Sequence, residues 1–147
     1  MASDASLPDE RRLGVAAKTA LVIRSWTMFL AVRRDLARYP LAEVVTRSMA
    51  PVAAPADGAA YHPAQLSRAV GKALGAGGDS VRCIHRALVL QRLLARQSML
   101  TELVIGLKPN APDHKAHAWV ELSGRDIGPA PGRSGHVELA RYPVRQR

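Results

Sequence analysis

The chain has a single cysteine, Cys83, among its 147 residues. An intramolecular disulfide is therefore excluded, no cysteine-rich metal site is expected, and a reducing cytoplasm is the expected location. Aromatic residues make up only 4%, so aliphatic packing must build the core, and few rings are available to stack on nucleic-acid bases. Acids are also scarce: 12 Asp and Glu stand against 21 Lys and Arg, a net charge of +9. The basic residues are spread along the chain and no nucleic-acid motif accompanies them. The excess charge reads as a solvated basic surface, or as attraction to an acidic protein or peptide. No long apolar run is uninterrupted, because Lys18 and Arg24 break residues 13–32; neither a membrane span nor a secretory signal is expected. The glycine-rich residues 75–80 lack a Gly-Lys-Ser/Thr ending and a clear preceding strand, which argues against a nucleotide site. No cofactor is expected, and no internal repeat is visible.

What is present suits one domain over residues 1–147: 48% hydrophobic residues on a length sufficient for its own core. Residues 1–62 read as a helical N-terminal portion and a connector, and residues 63–147 as a core containing the site. Ser6 and Pro8 offer a helix start before an apolar face with Val22, Trp26, Phe29, Leu30 and Leu36, and Pro40 ends that helix. Residues 41–49 predict a second short helix. Residues 50–62, rich in Pro, Ala and Gly, predict an irregular connector. Pro63 opens a helix carrying Leu66, Val70, Ala73 and Leu74 on one side.

The informative stretch runs from Cys83 to Glu121. With Ser80 as N-cap, Ile84, Leu88, Gln91 and Ala95 recur at helical spacing, placing Cys83 in the first turn. Backbone N–H groups there have no intrahelical partner and the helix dipole is positive, so the position suits a reactive sulfur. Residues 101–108 are rich in β-formers, residues 109–113 suit a turn, and residues 117–122 alternate, predicting an antiparallel hairpin. Period two puts His117, Trp119 and Glu121 on one face, with Ala118, Val120 and Leu122 on the other.

A lone cysteine is most often a small buried hydrophobe, and a lone histidine on a strand is most often structural. Together and in this order, however, Cys83 and His117 form the pairing in which an imidazole takes a thiol proton for attack on a carbonyl, as in papain-like and transglutaminase-like enzymes. His85 follows Cys83 too closely to face it around the helix, His114 falls on the opposite strand face from His117, and His62 and His136 have no supporting context.

Cys83-Ile-His-Arg-Ala-Leu-Val-Leu-Gln-Arg-Leu-Leu94, then Leu103-Val-Ile-Gly-Leu107, then Ala116-His-Ala-Trp-Val-Glu121, resembles the core of the leader peptidases of lasso-peptide biosynthesis, a branch of the transglutaminase-like cysteine proteases. The resemblance covers roughly residues 63 to 128. It implies an α+β fold in which N-terminal helices and a nucleophile helix pack on a small antiparallel sheet. It also implies removal of a leader peptide from a ribosomally made precursor, whose freed core passes to a separate ATP-dependent lasso cyclase, a further candidate partner. Cys83 would be the nucleophile and His117 the base. Some members carry a small β-rich module that grips the leader. The upstream residues here read as helical, so a separate leader-recognition protein is the expected partner beside the precursor.

Relatives place an orienting aspartate about a dozen residues beyond the histidine, where this chain has Pro129. The nearest downstream acid is Asp126. With a two-residue turn at Ser123-Gly124 it would lie opposite Glu121, about 13 Å along the strand from His117. Either another register, or a bulge that re-aims Asp126, or a different orienting group is required; Asp126 is the candidate. Two alternatives stay open: an acyltransferase with the same residues and an amine acceptor, and a scaffold of the same fold without chemistry. Residues 136–140 predict a short strand or helix at the sheet edge, and residues 141–147 a basic tail.

Overall fold

A computed structural model describes residues 12–50, 60–78, 82–110, 112, 115–129 and 132–143. The expected caps at Ser6 and Ser80, residues 51–59 of the connector, His114 and residues 144–147 lie outside them. Four helices, α1 (Val15–Arg38), α2 (Leu41–Ser48), α3 (Pro63–Gly75) and α4 (Cys83–Ala95), precede four strands, β1 (Glu102–Leu107), β2 (Ala116–Leu122), β3 (Arg125–Gly128) and β4 (Val137–Tyr142).

The helix boundaries have local causes. Tyr39 is extended ahead of Pro40, which ends α1 and caps α2. His62 opens α3 with a reciprocal cap: its Nδ1 accepts the Ala64 N–H while Gln65 Oε1 accepts the His62 N–H, and Pro63 occupies the first helical position. In α4 the N-cap is Arg82, whose N–H donates to His85 Nδ1 at 3.0 Å. Cys83 is thus the first helical residue.

Helix α1 is long and apolar enough to pass as a membrane span, with 28% of its most apolar window buried in the domain. Its stripe of Leu21, Ser25, Met28, Phe29 and Val32 is buried, and it packs against α3 and α4. Ser25 disposes of its hydroxyl inside by donating to the Leu21 carbonyl. Arg92 of α4 ties α1 to α2, pairing with Asp35 and donating to Ser48 Oγ.

All strand pairings are antiparallel, in the order β3-β2-β1-β4. β1, β2 and β3 lie side by side in chain order and the fourth strand returns beside the first, which is Greek-key order. The edge segment expected at residues 136–140 is therefore a strand. It continues through Arg141 and Tyr142, which correct the expected tail: both are partly buried in β4.

The two sheet faces are used differently. Leu103, Ala118 and Val120 join Ala87, Leu88 and Leu94 of α4 in one hydrophobic core, with Ile105 packed against it. The opposite face carries His117, Trp119 and Glu121, and the β3–β4 connection crosses it with Arg133 and His136. Trp119 is 1% exposed there. Its ring lies where a Cβ on Gly106 would stand, 2.7 Å from Trp119 Cη2 and 2.8 Å from the Val137 carbonyl oxygen, so only glycine fits at that point of β1.

Candidate active site

Helix α4 and strand β2 deliver the two residues that the sequence nominates. Cys83 is partly buried in the first turn of α4, with Sγ 3.9 Å from the carbonyl oxygen of Ala116, the first residue of β2. His117 is the next residue. Because side chains alternate along a strand, Cys83 meets the end of β2 from the helical side while the His117 ring stacks with Trp119 on the other face, centroids 6.2 Å apart. His117 Nε2 is buried and has no hydrogen-bond partner among the described residues.

The register of the candidate third residue is the one expected from the sequence: Ser123 and Gly124 both have positive φ, as a two-residue hairpin turn requires, and Asp126 pairs with Glu121. A bulge follows immediately, since Val120 pairs with Gly128. It turns the Asp126 carboxylate toward the β3–β4 connection, where it accepts the N–H groups of Gly128 at 2.8 Å and Arg133 at 2.6 Å. No hydrogen bond joins Asp126 to His117. Its influence on that ring is electrostatic, favouring the protonated form against stronger opposing causes.

Those causes include two groups that sequence reasoning passed over. Burial comes first in holding His117 below the ordinary histidine range; His136 pushes the same way, Asp126 opposes, and Arg86 adds to the lowering. His136 stands with its ring centroid 5.2 Å from that of His117 and 5.9 Å from that of Trp119. Its Nδ1–H donates to the Ser134 carbonyl at 2.8 Å, which leaves Nε2 as the acceptor in the neutral ring. Nothing near His136 in sequence announces this role; the chain crossing between β3 and β4 brings it there. Arg86 had a local signal, since residues three apart on a helix are neighbours and Arg86 follows Cys83 at that spacing.

His85, also in α4, is held below the ordinary range by burial, then by Arg82 and Arg33. Its ring packs edge-on against Phe29 at 5.3 Å while Nδ1 accepts the Arg82 N–H, a structural use consistent with a neutral ring. The unfolded chain therefore binds protons at His85 and His117 more readily than the folded one. Folding stability is expected to fall as pH drops through about 6.5, the ordinary histidine value below which both groups are held. Urea midpoints at pH 7.5 and 5.5 measure this, and the loss should shrink in His85→Gln. An equal or higher midpoint at pH 5.5 would contradict the assigned directions.

No cluster of three or more metal-ligating side chains occurs among the described residues. What the arrangement offers is a thiol on a helix N-terminus, seated against the residue that precedes a histidine held toward its neutral form, the elements of nucleophilic acyl transfer. A family model described as Transglutaminase-like superfamily matches residues 26–139. The chain belongs to the transglutaminase-like superfamily. The match extends beyond the region of the sequence resemblance, reaching upstream into α1 and downstream into β4. The transglutaminase-like superfamily includes cysteine peptidases and acyltransferases, and its members are mostly cysteine-dependent enzymes. No curated protein and no solved structure matches the chain significantly.

Proposed function

We propose that this transglutaminase-like protein is a cysteine peptidase that removes the leader from a ribosomally made lasso-peptide precursor. The observation that carries the chemical part is the seating of Cys83, first residue of α4, against the carbonyl of the residue preceding His117. The lasso assignment rests on the ordered blocks around Cys83, Leu103 and His117 in the sequence.

In this reading His117 takes the Cys83 proton as Sγ attacks the scissile carbonyl, the S–C bond forms and the carbonyl pair moves onto oxygen. Collapse breaks the C–N bond, and the His117 proton leaves with the amine of the core peptide. Water, activated by His117, then frees the leader as a carboxylate. Burial, the neighbouring His136 and the Arg86 charge all favour the unprotonated form of His117, the form that a base needs. Asp126 biases the ring by its charge and braces the β3–β4 connection through two backbone N–H groups. A separate leader-recognition protein presents the precursor, and the ATP-dependent cyclase receives the core.

The test is mass spectrometry of a precursor incubated with this protein and its recognition partner. A single cut giving a leader with a free carboxylate is expected, abolished in Cys83→Ala. An amide formed with an added amine, in preference to the acid, would move the assignment to an acyltransferase. No product of either kind would leave a scaffold.

A further inference from the structure

Of the partly buried arginines among the described residues, Arg86 and Arg96 have no side-chain hydrogen bond or ion pair, and of the two only Arg86 has an enclosed nitrogen without a partner. Arg92 has Asp35 and Ser48, and Arg141 has Glu102, Glu121 and Glu138. Arg86 is partly buried in α4, its Nε is enclosed, and it has neither a hydrogen bond nor an ion pair among the described residues. Burying a cation without a counter-charge is unfavourable. The position is therefore informative. Long helical side chains lean toward the helix N-terminus, so Arg86, three positions along α4, shares the face that carries Cys83. Its charge also reaches the His117 ring. The Arg86 side chain thus shares a helix face with Cys83 and acts electrostatically on His117, and no anion among the described residues pairs with it.

We propose that Arg86 is a catalytic residue whose guanidinium receives the oxyanion of the tetrahedral intermediate, as second donor beside the Cys83 backbone N–H. This rests on the acyl-transfer reading above. The Cys83 N–H is free for that purpose because the first N–H groups of a helix lack intrahelical acceptors. When the S–C bond forms, the negative charge that appears on the carbonyl oxygen is the counter-ion Arg86 lacks. When the C–N bond breaks the charge returns to the carbonyl, and Arg86 is left protonated and unpaired as before. Because the anion exists only during reaction, the interaction is made in the transition state rather than with the bound substrate.

The experiment compares wild type, Arg86→Gln and Arg86→Lys in precursor cleavage with the recognition partner. The same proteins are followed by histidine NMR titration of His117 and by the rate of Cys83 alkylation with iodoacetamide. Arg86→Gln is expected to lower kcat by about 10²–10³-fold with KM nearly unchanged. Arg86→Lys should recover about tenfold of that by restoring the charge without the planar fork. The His117 midpoint should rise in Arg86→Gln, because a neighbouring cation is gone, and alkylation should slow. Cleavage by Arg86→Gln at the wild-type rate, or a loss confined to KM, would overturn the assignment. If wild type cuts nothing, the peptidase reading fails by itself. His117 titration and Cys83 alkylation unchanged by Arg86→Gln would then show that Arg86 does not face the pair, and their movement would keep it as an anion-receiving group of a different acyl transfer.

Discussion

Replacing His117 by glutamine is expected to slow precursor cleavage by about 10²–10⁴-fold, the contribution of a positioned general base. The domain should remain folded. His117 Nε2 makes no hydrogen bond that the substitution would break, so the loss is confined to ring packing against Trp119 and His136. A stability change of about 1 kcal/mol is the scale to expect. Single-turnover cleavage followed by mass spectrometry, with urea unfolding of the same sample, separates the two effects. Cleavage at the full rate in a folded His117→Gln would move the base elsewhere, and His136 is the next imidazole on that face.

The largest effect on stability is expected at Arg141. Glu121 is 3% exposed; its Oε1 accepts the Trp119 Nε1–H at 3.1 Å and its Oε2 accepts from Arg141 at 2.8 Å. Arg141 also holds Glu102 on β1 and Glu138 on its own strand, so one guanidinium joins the carboxylates of three strands. These contacts hold the Arg141 proton more firmly than usual and keep Glu138 below the ordinary carboxylate range. Arg141→Met leaves Glu121 as a buried charge whose remaining cation is the exposed Arg133 at 4.0 Å, and removing the close partner of a buried charge costs about 3–5 kcal/mol in comparable settings. Adding Glu121→Gln should recover part of the loss, because a neutral amide can still accept from Trp119 and no longer needs a counter-charge. Urea midpoints of the single and double variants decide. A single variant within about 1 kcal/mol of wild type would mean that water reaches Glu121 and the network is not enclosed. The consequence reaches the site, since Glu121 fixes Trp119 and Trp119 is the wall on which His117 stacks.

Much of the site's local arrangement was legible. Glycines 75, 77 and 78 ahead of Cys83, with Ile84 and Leu88 after it, call for a helix beginning near the cysteine. Strict alternation over residues 117–122 puts His117, Trp119 and Glu121 together. Ser123-Gly124 specified the turn, and with it the register that sets Asp126 opposite Glu121. The bulge beyond that pair was one of the outcomes left open, and it sends Asp126 to the N–H groups of Gly128 and Arg133. Ser80 is the better cap by residue type, whereas the cap is Arg82 with help from His85. The basic look of residues 141–147 hid a strand, because Arg141 reads as a tail residue until its three carboxylates are brought around it.

Sequence alone set the period of each element, the residues that share a face and the turn type at Ser123-Gly124, because each depends on neighbours within a few positions, and it put the candidate nucleophile ahead of the candidate base. Tertiary structure alone decided that β4 returns to pair with β1, that the β3–β4 connection lays His136 against His117, and that Arg86 is left without an anion while Arg141 gathers three. The reason is physical. Long-range strand pairing and the partners of buried charges are settled only when separate segments compete for the same space and the same hydrogen bonds.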